Sequence, residues 1–403
     1  MKRIDRPPTP RRVLFIDHTA RLGGGEVALL NLVTALDRHR YTPIVLLFAD
    51  GPLRQKLIER GVETHVLPLA ASIADARKDT LGGGTLRRVR DGVTMLSFIA
   101  CVRRAICDAR VHLVHTNTLK ADVIGGLAAR LAGVPVVWHV RDRIADDYLP
   151  PRVARMFRRL ARRIPTALIA NSQATLQTLG NLTPGEPARL GRKRAWVVHD
   201  GTILPPLPRP TGKTRDGAVV GLVGRIASWK GQHVFIEAAA RVRRRFPNAR
   251  FRIIGAALFG EDDYERQLHA TVDALGLKDV VEFAGFRADV EAAIAELDLL
   301  VHASTTGEPF GQVIIEGMAA AKAVVATRGG GVPEIVLDGE TGFLVPMGDA
   351  AAMADAIEAL LSDPARREFM GLRGRSHVHT HFTIDRVAQN VCRVFDAVLV
   401  GRE

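Results

Sequence analysis

Short apolar runs and longer stretches with helical spacing alternate along nearly the whole chain. The runs VLFID (13–17), PIVLLF (43–48), LVHT (113–116), PVVWHV (135–140), ALIAN (167–171) and WVVH (196–199) predict strands in the first half. In the second half AVVGLV (218–223), FRIIG (251–255), VEFAG (281–285), LLVHAS (299–304), AVVAT (323–327) and GFLVP (342–346) predict six more. Strands this apolar are covered on both faces, so the pattern predicts an α/β protein with parallel sheets. Between the halves, DGTILPPLPRPTGKTRDG (200–217) carries four prolines and no periodicity, as a linker does. After residue 384, IDRVAQNVCRVFDAVLV has the spacing of a final helix. The expectation is two doubly wound, Rossmann-like domains, residues 1–199 and 218–383, facing across a ligand cleft at the strand C-terminal ends. The segment 384–403 is a separate closing helix.

Charge changes this picture. Residues 1–200 hold 33 basic and 17 acidic side chains, a balance of +16, and residues 201–403 a balance of −3. One half is therefore suited to an anionic partner. Only nine of the 56 basic residues are lysine, so a single arginine says little about a site. The three cysteines, Cys101, Cys107 and Cys392, lack metal-ligand spacing and cannot all pair, which fits a reducing setting. With neither a secretory leader nor a membrane-length apolar run, the expected location is the cytoplasm.

Three stretches carry candidate chemistry. In EPFGQVIIE (308–316), Pro309 suits the first position of a helix, leaving Phe310, Gly311 and Gln312 to offer backbone N–H groups to an anion. Eight helical steps would part Glu308 from Glu316 by ~12 Å, a span suited to two ends of one ligand. The plainer reading makes Glu308 a helix cap and Glu316 a solvated residue. GLVGRIASWKG (221–231) sets Arg225 and Lys230 beyond a strand, where two cations could hold a diphosphate. Gly23, Gly24 and Gly25 form a strand-to-helix loop of phosphate-approaching type, though neither a P-loop nor GxGxxG. No His, Asp or Glu cluster has ligand spacing, so no metal is expected.

Taken together, GGGE (23–26), VWHVRD (137–142), GRIASWKG (224–231), EPFGQVIIE (308–316) and GGGVPEIV (329–336) resemble the retaining glycosyltransferases of family 4, which have the two-domain GT-B fold. The resemblance implies a metal-independent hexosyltransferase that takes a UDP- or GDP-sugar donor and needs no cofactor. Arg225 and Lys230 would bind the diphosphate, Glu308 the transferred sugar and Glu316 the ribose. The backbone of Phe310 and Gly311 would meet sugar or phosphate, Gly285, Phe286 and Arg287 would sit near the base, and His139 would lie in the cleft near the sugar, either as a catalytic base or as a satisfied histidine at a strand end. The final helix would cross back to the N-terminal domain. His199-Asp200-Gly201 departs from the Asn-Gly common before the family's hinge.

In PRVARMFRRLARRIP (151–165), Val153, Met156, Phe157, Leu160 and Ile164 form one helical stripe, with Arg152, Arg155, Arg158, Arg159, Arg162 and Arg163 largely opposite. This suits either a helix lying on an anionic bilayer or an ordinary helix with solvated arginines. The acceptor implied is a glycan or lipid-linked glycan in lipopolysaccharide or other cell-envelope polysaccharide or glycolipid synthesis, with the enzyme peripheral on the inner membrane face. Three rival functions share parts of this pattern. A nucleic-acid binder leaves the two glutamates unexplained and has few aromatics for stacking, so no nucleic-acid partner is expected. A nicotinamide oxidoreductase would want GxGxxG with an acidic residue ~20 positions on. A sugar-nucleotide epimerase of the same fold is the nearest alternative.

Overall fold

The computed structural model describes residues 9–70, 85–183, 185–207, 217–257 and 260–400. The chain divides into two compact units, one of Met1–Asp200 with Ile384–Glu403 and the other of Gly201–Thr383.

In the first unit, eight strands form one sheet: β1 (Arg11–Asp17), β2 (Tyr41–Leu47), β3 (Glu63–Val66), β4 (Leu113–Thr116), β5 (Val136–Val140), β6 (Ala167–Ala170), β7 (Ala188–Leu190) and β8 (Lys193–Val197). Their order is β3-β2-β1-β4-β5-β6-β8-β7, parallel except for the β7–β8 pair. The apolar runs are buried on both faces. One face packs Leu14, Ile16, Val114 and Trp138, and the other Val13, Phe15, Val137 and Ile169. The second face is closed by the final helix, Ile384–Leu399, through Val387, Val391, Phe395 and Val398. Each such side chain contributes roughly 1.5–3 kcal/mol by leaving water. Polar ties fix the helix register: Arg40 Nη2 donates to both Asp396 oxygens at 2.6 Å, and Tyr41 OH to Oδ1 at 2.6 Å.

The second unit has six parallel strands: β9 (Val219–Val223), β10 (Arg250–Ile254), β11 (Val281–Gly285), β12 (Leu299–His302), β13 (Ala323–Thr327) and β14 (Gly342–Val345). Their order is β11-β10-β9-β12-β13-β14, again with a core on each face. The chain leaves β1 and β9 where the strand order reverses, the place where doubly wound sheets open a crevice.

Three details differ from the sequence reading. The edge strands β3 and β7 have no long apolar run; β3 alternates exposed and half-buried positions, since an edge has only one neighbour. The strand expected at 196–199 runs Lys193–Val197, started earlier by the β7 hairpin. Of the expected linker 200–217, Asp200 belongs to the first unit, while Thr202 bridges Thr383 and Leu204 packs on the second core. Residues 208–216 lie outside the described residues.

Candidate active site

In the second unit, β9 leads through Gly224 and Arg225 to a turn at Ser228–Lys230. Gly231 follows with φ 73°, and a Cβ there would stand 1.9 Å from the Ala303 carbonyl oxygen. That close approach presses the lysine turn against the end of β12. Thr305 N–H donates to the Trp229 carbonyl at 2.8 Å, tying the two loops together. The Lys230 ammonium lies 4.3 Å from the Trp229 ring centre, and the Arg225 guanidinium 5.8 Å from it. The two expected cations thus lie against one aromatic ring.

Glu308 is no simple cap. It is 6% exposed, and its Oε1 pairs with Lys230 Nζ, accepts from Ser304 Oγ at 2.7 Å and lies 3.3 Å from His302 Nε2. Burial by itself raises this carboxyl group. The Lys230 charge and the donors from His302 and Lys230 outweigh it and hold Glu308 well below the usual carboxylate range. The backbone of Glu308 is gripped as well. Gly331 N–H donates to its carbonyl at 2.9 Å, and Gly330, at φ 60°, leaves room where a Cβ would meet that oxygen at 1.9 Å. The GGG of residues 329–331 therefore serves as a seat for the Glu308 loop.

The helix begins later than expected, at Gln312–Ala319, with Gly311 before it at φ 129°. Pro309 is outside the helix, and the first helical N–H groups belong to Gln312 and Val313. The expected eight-step helical span from Glu308 to Glu316 does not apply. Phe310 turns its ring into the core, 5.9 Å from Phe382, leaving only backbone for a ligand. Glu316 is half-buried rather than solvated. Burial pushes its carboxyl up to about 7, against a 3.2 Å hydrogen bond from Gln312 Nε2. Gln312 Nε2 also reaches the Gly201 carbonyl at 3.3 Å, while its Oε1 is buried without a partner. Gly285, which ends β11, has φ 67°, and beyond it Phe286 is exposed and Arg287 pairs with Glu296 at 3.1 Å.

In the first unit, Gly23 precedes the helix Gly24–Ala35 with extended backbone, and the Glu26 carboxylate accepts its N–H at 3.0 Å. Burial, then the neighbouring Asp17 charge, pushes Glu26 up to about 7. The strand ends here carry a polar network that no single motif announces. Arg141 Nε donates to Asn117 at 2.8 Å and its guanidinium pairs with Asp200. Asn117 Nδ2 donates to Asp17 at 2.8 Å, and Asn171 Nδ2 to Asp200 at 3.2 Å. Its signal was legible: VLFID, LVHTN, VWHVR, ALIAN and WVVHD each end in a polar residue.

His139 does not meet expectation. It is fully buried, with Nδ1 3.3 Å from His115 Nε2 and Nε2 unpartnered, and burial, then Arg141 and His115, hold it well below the usual imidazole range. It shares the face of Val137 and Ile169, where His115 packs against Phe395 of the final helix at 5.7 Å. The imidazole is fully enclosed there.

The basic helix runs Pro151–Ala161 and buries Ala154, Phe157 and Ala161, with Phe157 against Trp138 at 5.2 Å. Met156, expected in the apolar stripe, is 53% exposed. Arg152, Arg155, Arg159, Arg162 and Arg163 are exposed. Arg158 is not a solvated residue: it donates to the Thr178 carbonyl at 2.8 Å and to that of Ile144. Among the described residues, no helix is long and apolar enough to cross a membrane, and no group of three or more His, Cys, Asp or Glu could hold a metal ion.

Residues 206–377 match the family model of glycosyl transferases group 1, and residues 23–192 that of the glycosyl transferase 4-like domain. A D-inositol 3-phosphate glycosyltransferase of Arthrobacter sp. (strain FB24) is 32% identical over 316 residues, covering 70% of this chain and 70% of the relative. The lipopolysaccharide core biosynthesis glycosyltransferase LpsE of Rhizobium meliloti (strain 1021) is 35% identical over 172 residues, 43% of this chain and 48% of the relative. Among solved structures, Anabaena Alr3699/HepE in complex with UDP-glucose superposes with a TM-score of 0.80 at 29% identity, covering 96% of this chain and 99% of that one. The fold is GT-B α/β. The chain belongs to the glycosyl transferases group 1 family and is a glycosyltransferase.

Proposed function

We propose that this glycosyltransferase moves a hexosyl group from a UDP- or GDP-sugar to a glycan or lipid-linked acceptor of cell-envelope polysaccharide or lipopolysaccharide synthesis, with retention at the anomeric carbon. The observation that carries the reading is the Lys230–Glu308 pair, which sets a cation and a buried carboxylate side by side at the ends of β9 and β12. As the bond from the anomeric carbon to the diphosphate oxygen breaks, negative charge grows on the leaving phosphate. Arg225 and Lys230 stabilise it, with help from the N–H groups opening the helix Gln312–Ala319. Glu308 faces the departing sugar, Glu316 takes the ribose hydroxyls, and Gly285, Phe286 and Arg287 border the base. The glycines 23–25 are proposed as a further donor-binding loop.

The chemistry is proposed to need no metal or other cofactor, because the two side-chain cations do the work a divalent ion does elsewhere. A UDP-glucose-bound structural relative and a lipopolysaccharide glycosyltransferase relative support the donor and acceptor classes. The same reading puts the protein in the cytoplasm, drawn to the inner membrane face by the exposed arginines between Arg152 and Arg163. The test is to incubate chelated protein with UDP-glucose and with GDP-mannose, with a lipid-linked glycan acceptor and without it, and to follow the anomeric proton by NMR. Transfer or slow hydrolysis with the donor's own anomeric configuration is the outcome expected. Interconversion of the donor sugar without acceptor would instead identify an epimerase, an inverted product would overturn retention, and activity restored only by magnesium or manganese would overturn metal independence.

A further inference from the structure

His302 is the polar end of an otherwise apolar strand, β12, and is 4% exposed. A buried imidazole is costly unless its nitrogens are partnered. Nδ1 lies 3.3 Å from Thr327 Oγ1, and Nε2 lies 3.3 Å from Glu308 Oε1. The Thr327 hydroxyl has a single proton, which it donates to the Ser304 carbonyl at 2.8 Å, so toward Nδ1 it can only accept. An ionised carboxylate oxygen can also only accept. With the Glu308 carboxylate able only to accept, Nε2 is the donor in that contact, and the ring lies between Thr327 and Glu308.

The other side of that contact is as informative. Lys230 Nζ, Ser304 Oγ and His302 Nε2 all converge on Glu308 Oε1. Among the described residues, Oε2 accepts no hydrogen bond. Three donors on one oxygen fix the plane of the carboxylate and leave the second oxygen with its lone pairs unspent. We propose that His302 is a positioning residue, which through Nε2 and Thr327 holds Glu308 Oε1 so that Oε2 is the atom presented to the transferred sugar. The proposal rests on the assignment of Glu308 to the sugar. Its added content is the choice of oxygen and the residue that makes that choice. Lys230 and Ser304 alone would let the carboxylate swing about its side-chain bonds, and small misplacements at a reacting centre can cost on the order of a hundredfold in rate.

The test compares His302→Leu, His302→Gln and Glu308→Gln with wild type, following release of the nucleoside diphosphate from UDP-glucose and GDP-mannose and, separately, the affinity for free UDP and GDP. Leucine fills the strand end but donates nothing, whereas the glutamine amide can reach the place of Nε2. His302→Leu is expected to lower kcat about ten- to a hundredfold with KM and nucleotide affinity within about twofold, and His302→Gln to recover most of the loss. Retained nucleotide affinity shows that the leucine variant is folded. Wild-type kcat in His302→Leu, a glutamine variant no better than leucine, or a loss confined to nucleotide affinity would each overturn the positioning role. If Glu308→Gln turns over like wild type, the assignment of Glu308 itself falls. If Glu308→Gln is impaired and His302→Leu is not, only the role of His302 falls.

Discussion

The ammonium of Lys230 rests on Oε1 of Glu308, 78 residues further along the chain, and with the Thr305 N–H on the Trp229 carbonyl it joins the loops after β9 and β12. Glu308 is buried, so removing Lys230 leaves a carboxylate with less compensation. Lys230→Ala is expected to cost about 1–3 kcal/mol of stability and to slow transfer by about a hundredfold. Adding Glu308→Ala removes the orphaned charge, so the double variant should regain much of the stability and none of the activity. Urea unfolding and turnover of the two single variants and the double variant check this. Stability that falls further in the double variant would contradict the pairing.

With Glu316 proposed to hold the ribose, nucleotide affinity should depend on pH. Its carboxyl sits at about 7 in the folded protein against an ordinary value of 4.5. Between those values the folded state binds more protons than the unfolded one, so this group makes the free protein less stable as pH rises through that window. Ribose hydroxyls donate to the ionised form, so binding expels the proton. Affinity for an intact nucleotide sugar should then be about tenfold weaker at pH 6 than at pH 8, and Glu316→Gln should flatten the dependence. Titrating UDP-glucose and GDP-mannose at both values measures it.

The arginines of the helix Pro151–Ala161 divide into two groups. Replacing Arg155, Arg159 and Arg162 with Gln should change stability by no more than about 0.5 kcal/mol and weaken attachment to anionic vesicles by about 1 kcal/mol per residue. Arg158→Gln should instead cost about 1–3 kcal/mol, because two part-buried carbonyls lose their donor. Vesicle co-sedimentation at low and moderate salt, with thermal melts, separates the two groups.

Much of the fold was legible because parallel strands covered on both faces read as unbroken apolar runs, from VLFI in β1 to AVVA in β13. The same property hid where polar strand residues point. His139 and His302 both interrupt such runs, and without alternation the sequence cannot tell that one is enclosed beside His115 and the other touches Glu308. The pairing of Glu308 with Lys230 was out of reach for a different reason. It depends on Gly231 and Gly330 letting backbones approach within the space of a Cβ, a tertiary fact. The start of the helix at Gln312 was misplaced because Pro309 follows a general preference that the geometry of Gly311 overrides.

The central claim is that the second unit holds a nucleoside diphosphate through its cations and its ribose through Glu316. Calorimetric titration of UDP and of GDP, in the presence of a chelator, into wild type and Glu316→Ala tests it most directly. Saturable binding of one of the two nucleotides by wild type is predicted, weakened about tenfold or more in the variant. Binding of neither by wild type, or equal affinity in the two proteins, would contradict it.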